Sequence, residues 1–337
     1  MIIKDCRNRY QRCFLKKPYQ LAFGKIEYFH VNVIEFVLSD GRIGTGEIVP
    51  LPGYGVEDQN IVDNLLHNKP YFSGLTEEEA KSIIDNYFKE FPFTKSGFIT
   101  AIDLAYGNFS LSDTIEVPLV ATVSSSCLNI MNEINDAILS GFKTLKVKIG
   151  IIDLFSEIAI AKQLSRFSKD ISIRFDANQS YSFEDAEYFI KSVQEDSDKF
   201  QLLEQPLISS DWLGFEKLCR ISDIPLMLDE SIYDFSDIKK AFDTGASLIK
   251  LKLCKHNGPN HTIQLARFAV ELGLRVVLGN GVSSHIGNII ELSIYSQNRD
   301  LFYGASESNG FSKIIDEKLI PFSIIKNGNI YFENKRD

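Results

Sequence analysis

The stretch that decides the fold is 144-TLKVKIG-150. Side chains alternate along a β-strand, so Leu145, Val147 and Ile149 share one face and Lys146 and Lys148 the other. The apolar face is the one to bury. The two lysines then point either to solvent from an open sheet or into a closed barrel at its open end. Alone, a Lys-x-Lys pair on a strand describes a solvated edge, so the flanking sequence has to decide.

From about residue 117 the chain alternates between strand-like and helix-like runs every 25–30 residues. The strand-like runs are PLVATVS, TLKVKIG, ISIRFDAN, FQLLEQPL, PLMLDES, SLIKLKLC, RVVLGNG and LFYGAS. Amphipathic segments such as SFEDAEYFIKSVQ, DFSDIKKAFDTG and HTIQLARFAVELG lie between them. Each crossover must return the chain to the same sheet end, so the strands are parallel. Eight such strands close naturally into a TIM-type barrel. An open doubly wound sheet is the alternative, and the lack of a GxGxxG after the first strand counts against its dinucleotide-binding form.

Residues 1–113 read as an N-terminal α+β capping domain. FHVNVIEFVLSD alternates, turns at SDGRIG and resumes in GTGEIVP, an antiparallel meander. TEEEAKSIIDNYFKEF opens with a Thr and acids, a helix start, and SGFITAIDLAYGNF is a second helix. Residues 114–310 are the barrel, an α/β unit of (β/α)7β type. Residues 311–337 are expected to leave the barrel and pack back on the capping domain.

Five strands end in ionisable groups. The second carries Lys146 and Lys148, the third ends in Asp176, the fourth in Glu204 and the fifth in Asp229, and the sixth carries Lys250 and Lys252. The C-terminal strand ends form the active face of such a barrel. Three carboxylates on neighbouring strands should converge on one point, where they repel unless a cation joins them. All-oxygen ligands favour a hard ion, Mg²⁺, with Mn²⁺ as the alternative. Strands two and six are opposite in a ring of eight, so Lys148 and Lys252 should face each other across the mouth. Lys146 stands one inward position from Lys148 and could contact a substrate carboxylate. Lys250 shares the inward parity of Lys252 one layer deeper, as a second inward charge or the mark of a bulge.

Other candidates are less decided. Asn178 supports the Asp176 turn or a lysine, and Glu307 either lines the site or bonds within its loop; with Ser306 they are the substrate-binding candidates. His285 either lines the site or stands exposed at a helix start. YQLAFGKIEYF and Tyr54 are candidates to cover the mouth.

The 337 residues carry a net charge of −9 with 44% hydrophobic and 24% charged residues, ordinary values for a globular chain. No basic block points to nucleic acid or an anionic membrane. Five cysteines without a CxxC pair, and an N-terminus too charged for a signal peptide, fit a reduced cytoplasmic setting.

At these residues the chain resembles the enolase superfamily, closer still its muconate-lactonizing subgroup of epimerases, N-acylamino acid racemases, o-succinylbenzoate synthases and muconate cycloisomerases. GTGE and AIDLAYGNF look like the capping-domain end, TLKVKIG the KxK strand, DAN, EQP and DES the metal-ligand segments, and KLCKHNG the sixth-strand lysine segment. The resemblance implies Lys148 and Lys252 as the acid/base pair, Lys146 as an electrostatic helper, and Asp176, Glu204 and Asp229 as Mg²⁺ ligands. It implies removal of a proton α to the carboxylate of a small-molecule substrate, through an enediolate. Racemisation or epimerisation of an amino-acid derivative fits two bases; cycloisomerisation is close to it. A dehydratase of the o-succinylbenzoate synthase kind needs one base, and a barrel that binds metal or anions without turnover is a different class. Barrels of this type often assemble into homo-oligomers. Two departures stand out: the eighth strand reads YGASESNG, with Glu307 where dipeptide epimerases carry DxD, and Lys250 stands where a small polar residue is expected.

Overall fold

A computed structural model describes residues 1–21, 24–50, 54, 56–124, 129–167, 170–315 and 323–333. Part of YQLAFGKIEYF lies outside the described residues, as do the immediate neighbours of Tyr54. The chain begins with an antiparallel meander, β1 (Ile3–Leu21), β2 (Gly24–Leu38) and β3 (Ile43–Ile48), in the order β1-β2-β3. Three helices follow, α1 (Gln59–His67), α2 (Glu77–Tyr87) and α3 (Pro92–Tyr106). Thr76 and Glu79 close a capping box at the start of α2. Helix α3 lies against β3 at backbone contact: a Cβ on Gly46 would stand 2.1 Å from the Gly97 carbonyl oxygen. The small residues of GTGE and α3 are therefore a packing requirement.

Strand β4 (Thr114–Pro118) leads into the barrel. Its strands are β5 (Val120–Ser124), β6 (Thr144–Lys148), β7 (Ser172–Asp176), β8 (Phe200–Glu204), β9 (Leu226–Leu228), β10 (Leu248–Leu251) and β11 (Arg275–Leu278). They pair in parallel in chain order, from β5 at one edge to β11 at the other. The crossover helices are α4 (Ile130–Leu139), α5 (Leu154–Leu164), α6 (Phe183–Val193), α7 (Trp212–Ile221), α8 (Phe235–Asp243), α9 (Gly258–Glu271) and α10 (His285–Gln297).

The run LFYGAS does not form a regular eighth strand, yet it closes the ring. Phe302 bridges Val276 and Ser306 bridges Leu119, both in parallel. Tyr303 N donates to Val276 O at 2.7 Å, Glu307 N to Leu278 O at 2.9 Å, and Val120 N to Ser306 O at 3.0 Å. Gly304, at φ +69°, interrupts the extended backbone between these bridges. Gly279 (φ +132°) lets the end of β11 pass this segment, since a Cβ there would stand 2.3 Å from Ser308 N. The result is the (β/α)7β barrel.

Residues 311–337, expected on the capping domain, touch it at the Leu15–Ile314 bridge and the Ile315 N to Phe14 O bond. Their hairpin is β12 (Ser323–Lys326) and β13 (Asn329–Glu333), and β13 pairs antiparallel with β4 at the entry to the barrel. Exposed edge strands seek a partner, and β4 offers a free edge there. Among the described residues no helix is long and apolar enough to cross a membrane, and no cysteine is disulfide-bonded.

Two apolar groups divide the barrel. Leu145 and Val147 face the main core, whereas Leu202, Met227, Leu248 and Val277, with Tyr303, form a separate plug. The plug residues share inward parity with Glu204, Asp229, Lys250 and Lys252, so it floors the charged layer.

Candidate active site

The opening lysines point inward. Lys146 and Lys148 are 3% and 5% exposed, on a strand whose other face is the helix-covered core. The Lys146 ammonium lies 2.8 Å from Asp176 Oδ2, 2.6 Å from Glu204 Oε2 and 2.6 Å from Glu307 Oε2. Lys148 Nζ donates to Asp176 Oδ2 at 2.5 Å and Asn178 Oδ1 at 2.6 Å. Across the ring, Lys252 Nζ donates to Asp229 Oδ2 at 2.6 Å and to the Tyr54 hydroxyl. Lys250 Nζ lies 2.9 Å from Glu204 Oε1, 2.5 Å from Glu307 Oε2 and 3.7 Å from Asp229 Oδ2. Its strand shows no bulge in its pairing with β11, so its inward direction follows from parity alone.

The loops after the strands aim the remaining groups. Asn178 (φ 42°) and Gln179 (φ 67°) turn in the left-handed region, a conformation Asn tolerates better than most residues. That turn brings Asn178 N to 2.9 Å from Asp176 Oδ1 and its amide to 3.1 Å from Glu230 Oε1. Gln205, in EQP, accepts from Asp229 N at 2.9 Å and donates to Ser231 Oγ at 2.9 Å, tying the fourth strand end to the fifth. Glu291 of α10 accepts from Leu253 N at 3.0 Å, Asn280 N at 3.1 Å and Ser308 Oγ at 2.8 Å. One buried carboxylate thus holds the loops after the sixth, seventh and eighth strands. Glu47, of GTGE, accepts from Ser284 N at 3.1 Å and from the hydroxyls of Ser283 and Ser284, joining cap to barrel.

Glu307 reaches the charged layer, where its other oxygen accepts from Arg174 Nη1 at 3.1 Å. Ser306 does not: its hydroxyl serves Leu278 O at 3.2 Å and Ser308, and it does not line the cavity. His285 opens α10, half-buried and away from the lining. Tyr54 is the cap's contribution. Burial and the Asp229 charge keep its phenol protonated, so it donates to Asp229 Oδ1 at 2.9 Å while accepting from Lys252.

Burial opposes every charge here; pairing prevails at some groups, whereas burial and the neighbouring Asp176 push Glu204 up to about 8 and burial draws Lys255 down to about 8. Desolvation would lower Lys146, but Asp176, Glu204 and Glu307 outweigh it and hold the ammonium well above its ordinary range. Lys250 is likewise raised, against burial, by Glu204 and Glu307. Asp229 and Glu307 are held well below the carboxylate range against their burial: Lys252, Lys250 and Lys255 act on the first, Lys146, Lys250 and Arg174 on the second. Glu230 is pushed up by burial and by Asp229. Sequence reasoning passed over Arg174, Glu230 and Lys255. All three lie within two or three residues of a named group, and the parity of Arg174 with Asp176 was the readable signal.

Asp176, Glu204 and Asp229 supply the hard oxygens that Mg²⁺ takes. They were expected to converge on one point, and they do so only through intervening ammonium groups: Lys146 joins Asp176 to Glu204, and Lys250 joins Glu204 to Asp229. All six carboxylate oxygens are engaged by Lys, Tyr54 or a backbone N–H. Among the described residues no three acidic, His or Cys side chains stand together as a ready metal cage. The donor chemistry fits the ion, and the ammonium groups fill the spaces between donors.

Lys148, Lys252, Asp176 and Asp229 line a cavity of about 50 Å³. Val282 is shared with a larger cleft of about 520 Å³ whose walls include Lys25, Tyr28, His30, Pro50 and Asp58 of the cap. A small reacting centre and a roomier space beside it are thus adjacent.

Residues 129–334 match the family model described as enolase C-terminal domain-like. The L-amino acid-D/L-Glu epimerase of Francisella philomiragia is 29% identical over 293 residues, covering 81% of each chain. Muconate cycloisomerase 1 of Pseudomonas putida is 26% identical over 311 residues, 86% of this chain and 82% of that one. The fold is similar to that of the dipeptide epimerase of Enterococcus faecalis, solved with Mg and the dipeptide L-Leu-L-Tyr, at a TM-score of 0.85 and 21% identity over 99% of this chain and 97% of that one.

Proposed function

The chain belongs to the enolase C-terminal domain-like family, and from that premise we propose that it is an isomerase that inverts or rearranges a carbon α to a substrate carboxylate. The observation that carries this reading is the pair Lys148 and Lys252, which line one cavity from opposite strands, each against its own acid. In the neutral form one amine takes the α-proton, and the electron pair of the C–H bond moves into the carboxylate as an enediolate. The ammonium on the other flank returns a proton to the opposite face. Both lysines regain their starting states through solvent.

Lys146 and Lys250 supply fixed positive charge beneath the reacting centre, already oriented, which is where such charge lowers a barrier most. Asp176, Glu204 and Asp229 are the residues that would hold Mg²⁺, with Mn²⁺ the alternative. Such an ion supplies further positive charge where the carboxylate becomes dianionic. Asn178 positions Lys148, and Tyr54 positions Lys252 and shields the mouth.

Racemisation or epimerisation of an amino-acid derivative is the first reading, in keeping with the epimerase relatives; cycloisomerisation is next. Glu307 is engaged by three cations and so is poorly placed to receive a substrate's α-ammonium. That favours a derivative with a blocked amine, such as an N-acyl amino acid, over a free dipeptide. The test is a panel of N-acyl amino acids, dipeptides and unsaturated diacids in D₂O, followed by proton NMR. Loss of the α-proton signal with inversion is expected for one class. No exchange in any class would remove the proposal.

A further inference from the structure

We propose that Lys250 is a tethered competitor for the divalent-cation position, an ammonium held between Glu204 and Asp229 that weakens the binding of any metal ion there. The inference rests on the reading of Asp176, Glu204 and Asp229 as the acids for such an ion.

Four observations converge. Lys250 Nζ is 2.9 Å from Glu204 Oε1 and 3.7 Å from Asp229 Oδ2, so it bridges two of the three acids. Its third contact, Glu307 Oε2 at 2.5 Å, anchors it from the opposite side of the ring. The lysine is 3% exposed, and the plug of Leu202, Met227, Leu248 and Val277 floors the same inward face. An ammonium expelled from the acids would have apolar side chains beneath it and only the cavity of about 50 Å³ above it to receive it. Displacement by an incoming ion therefore carries a desolvation penalty that a surface lysine would not impose.

The charge count points the same way. The formal cations of the cluster are Lys146, Lys148, Arg174, Lys250, Lys252 and Lys255; the anions are Asp176, Glu204, Asp229, Glu230 and Glu307. Six positive charges already face five negative ones. Without Lys250 the two sets balance. On this formal count, a divalent ion added to the present set would raise the positive excess from one to three in a buried volume, with Lys250 in contact with the acids the ion needs. Lys146 also touches two of the acids, but it enters from β6, beside Asp176 and away from Asp229. Lys250 occupies the Glu204–Asp229 side and is the residue by which this chain departs from the small polar side chain expected there.

The full-length chain, stripped with EDTA and dialysed, is titrated with MgCl₂ by calorimetry, alongside Lys250→Met and Lys250→Gln. The wild type is expected to bind weakly and either variant at least roughly tenfold more tightly. Adding Asp229→Asn to Lys250→Met should remove that gain. The proposal is overturned if the wild type saturates at micromolar Mg²⁺, a measurement needing no variant. It is also overturned if both folded variants bind no better than the wild type, or if the gain survives Asp229→Asn. The readout is heat of binding, not turnover. A chain that shows the calorimetric difference but exchanges no α-proton would sink the proposed isomerase and leave this inference standing.

Discussion

Replacing Glu307 by Gln should unbalance the cluster more than any surface change. Glu307 Oε2 is shared by Lys146 at 2.6 Å and Lys250 at 2.5 Å, and Oε1 accepts from Arg174 Nη1 at 3.1 Å. The side chain is almost fully buried, and among the described residues Arg174 Nη2 already has no hydrogen-bond partner. Removing the anion keeps the shape and leaves three buried cations with fewer partners, a change worth about 3–5 kcal/mol of stability. At about 2 °C per kcal/mol for a chain of this size, the thermal midpoint should fall by about 6–10 °C. Circular-dichroism melts of wild type and Glu307→Gln measure this. Glu216→Gln, which removes the exposed Arg220 pair, serves as a control expected to leave the midpoint unchanged. Coupling Glu307→Gln to Lys250→Met removes an anion and a cation together and should recover most of the loss. A fall of less than about 2 °C, with no recovery in the double variant, would refute the charged arrangement drawn here.

Three further outcomes are expected. Lys252→Ala should abolish interconversion of stereoisomers while Lys148 still exchanges the α-proton of one of them in D₂O; retention of both activities would remove Lys252 from the mechanism. Tyr54→Phe deletes the hydroxyl shared by Asp229 and Lys252 and should lower kcat by roughly tenfold with a smaller change in KM; an unchanged kcat would make Tyr54 a cover alone. Burial pushes the Glu291 carboxyl up to about 7, above an unfolded value of about 4.3. Its folded state therefore binds the proton more tightly, and the stability it contributes is complete below the unfolded value and lost as pH rises through about 7. Thermal midpoints from pH 5 to 8 should decline more steeply in the wild type than in Glu291→Gln, and parallel profiles would contradict this.

Much of the fold was legible because two periodicities carry it. Period two placed Lys146, Lys148, Asp176, Glu204, Asp229, Lys250 and Lys252 on inward faces, and the β/α rhythm put their strands in ring order. Where rhythm failed, so did the reading. LFYGAS has the composition of a strand, but Gly304 at φ +69° leaves only bridges on either side. The C-terminal hairpin pairs with β4 because strand pairing answers to a free edge, which sequence does not display.

The sequence by itself determined which side chains stand on the inner wall, since parity and strand order are local properties summed along the chain. Only the tertiary structure decided which charges meet. Lys146 and Glu307 are 161 residues apart, and Tyr54 and Lys252 198. Ion pairing acts over a few ångströms of space and is indifferent to distance along the backbone. The closed ring, and the cap laid over it, convert a series of strand ends into one interlocked set of acids and amines.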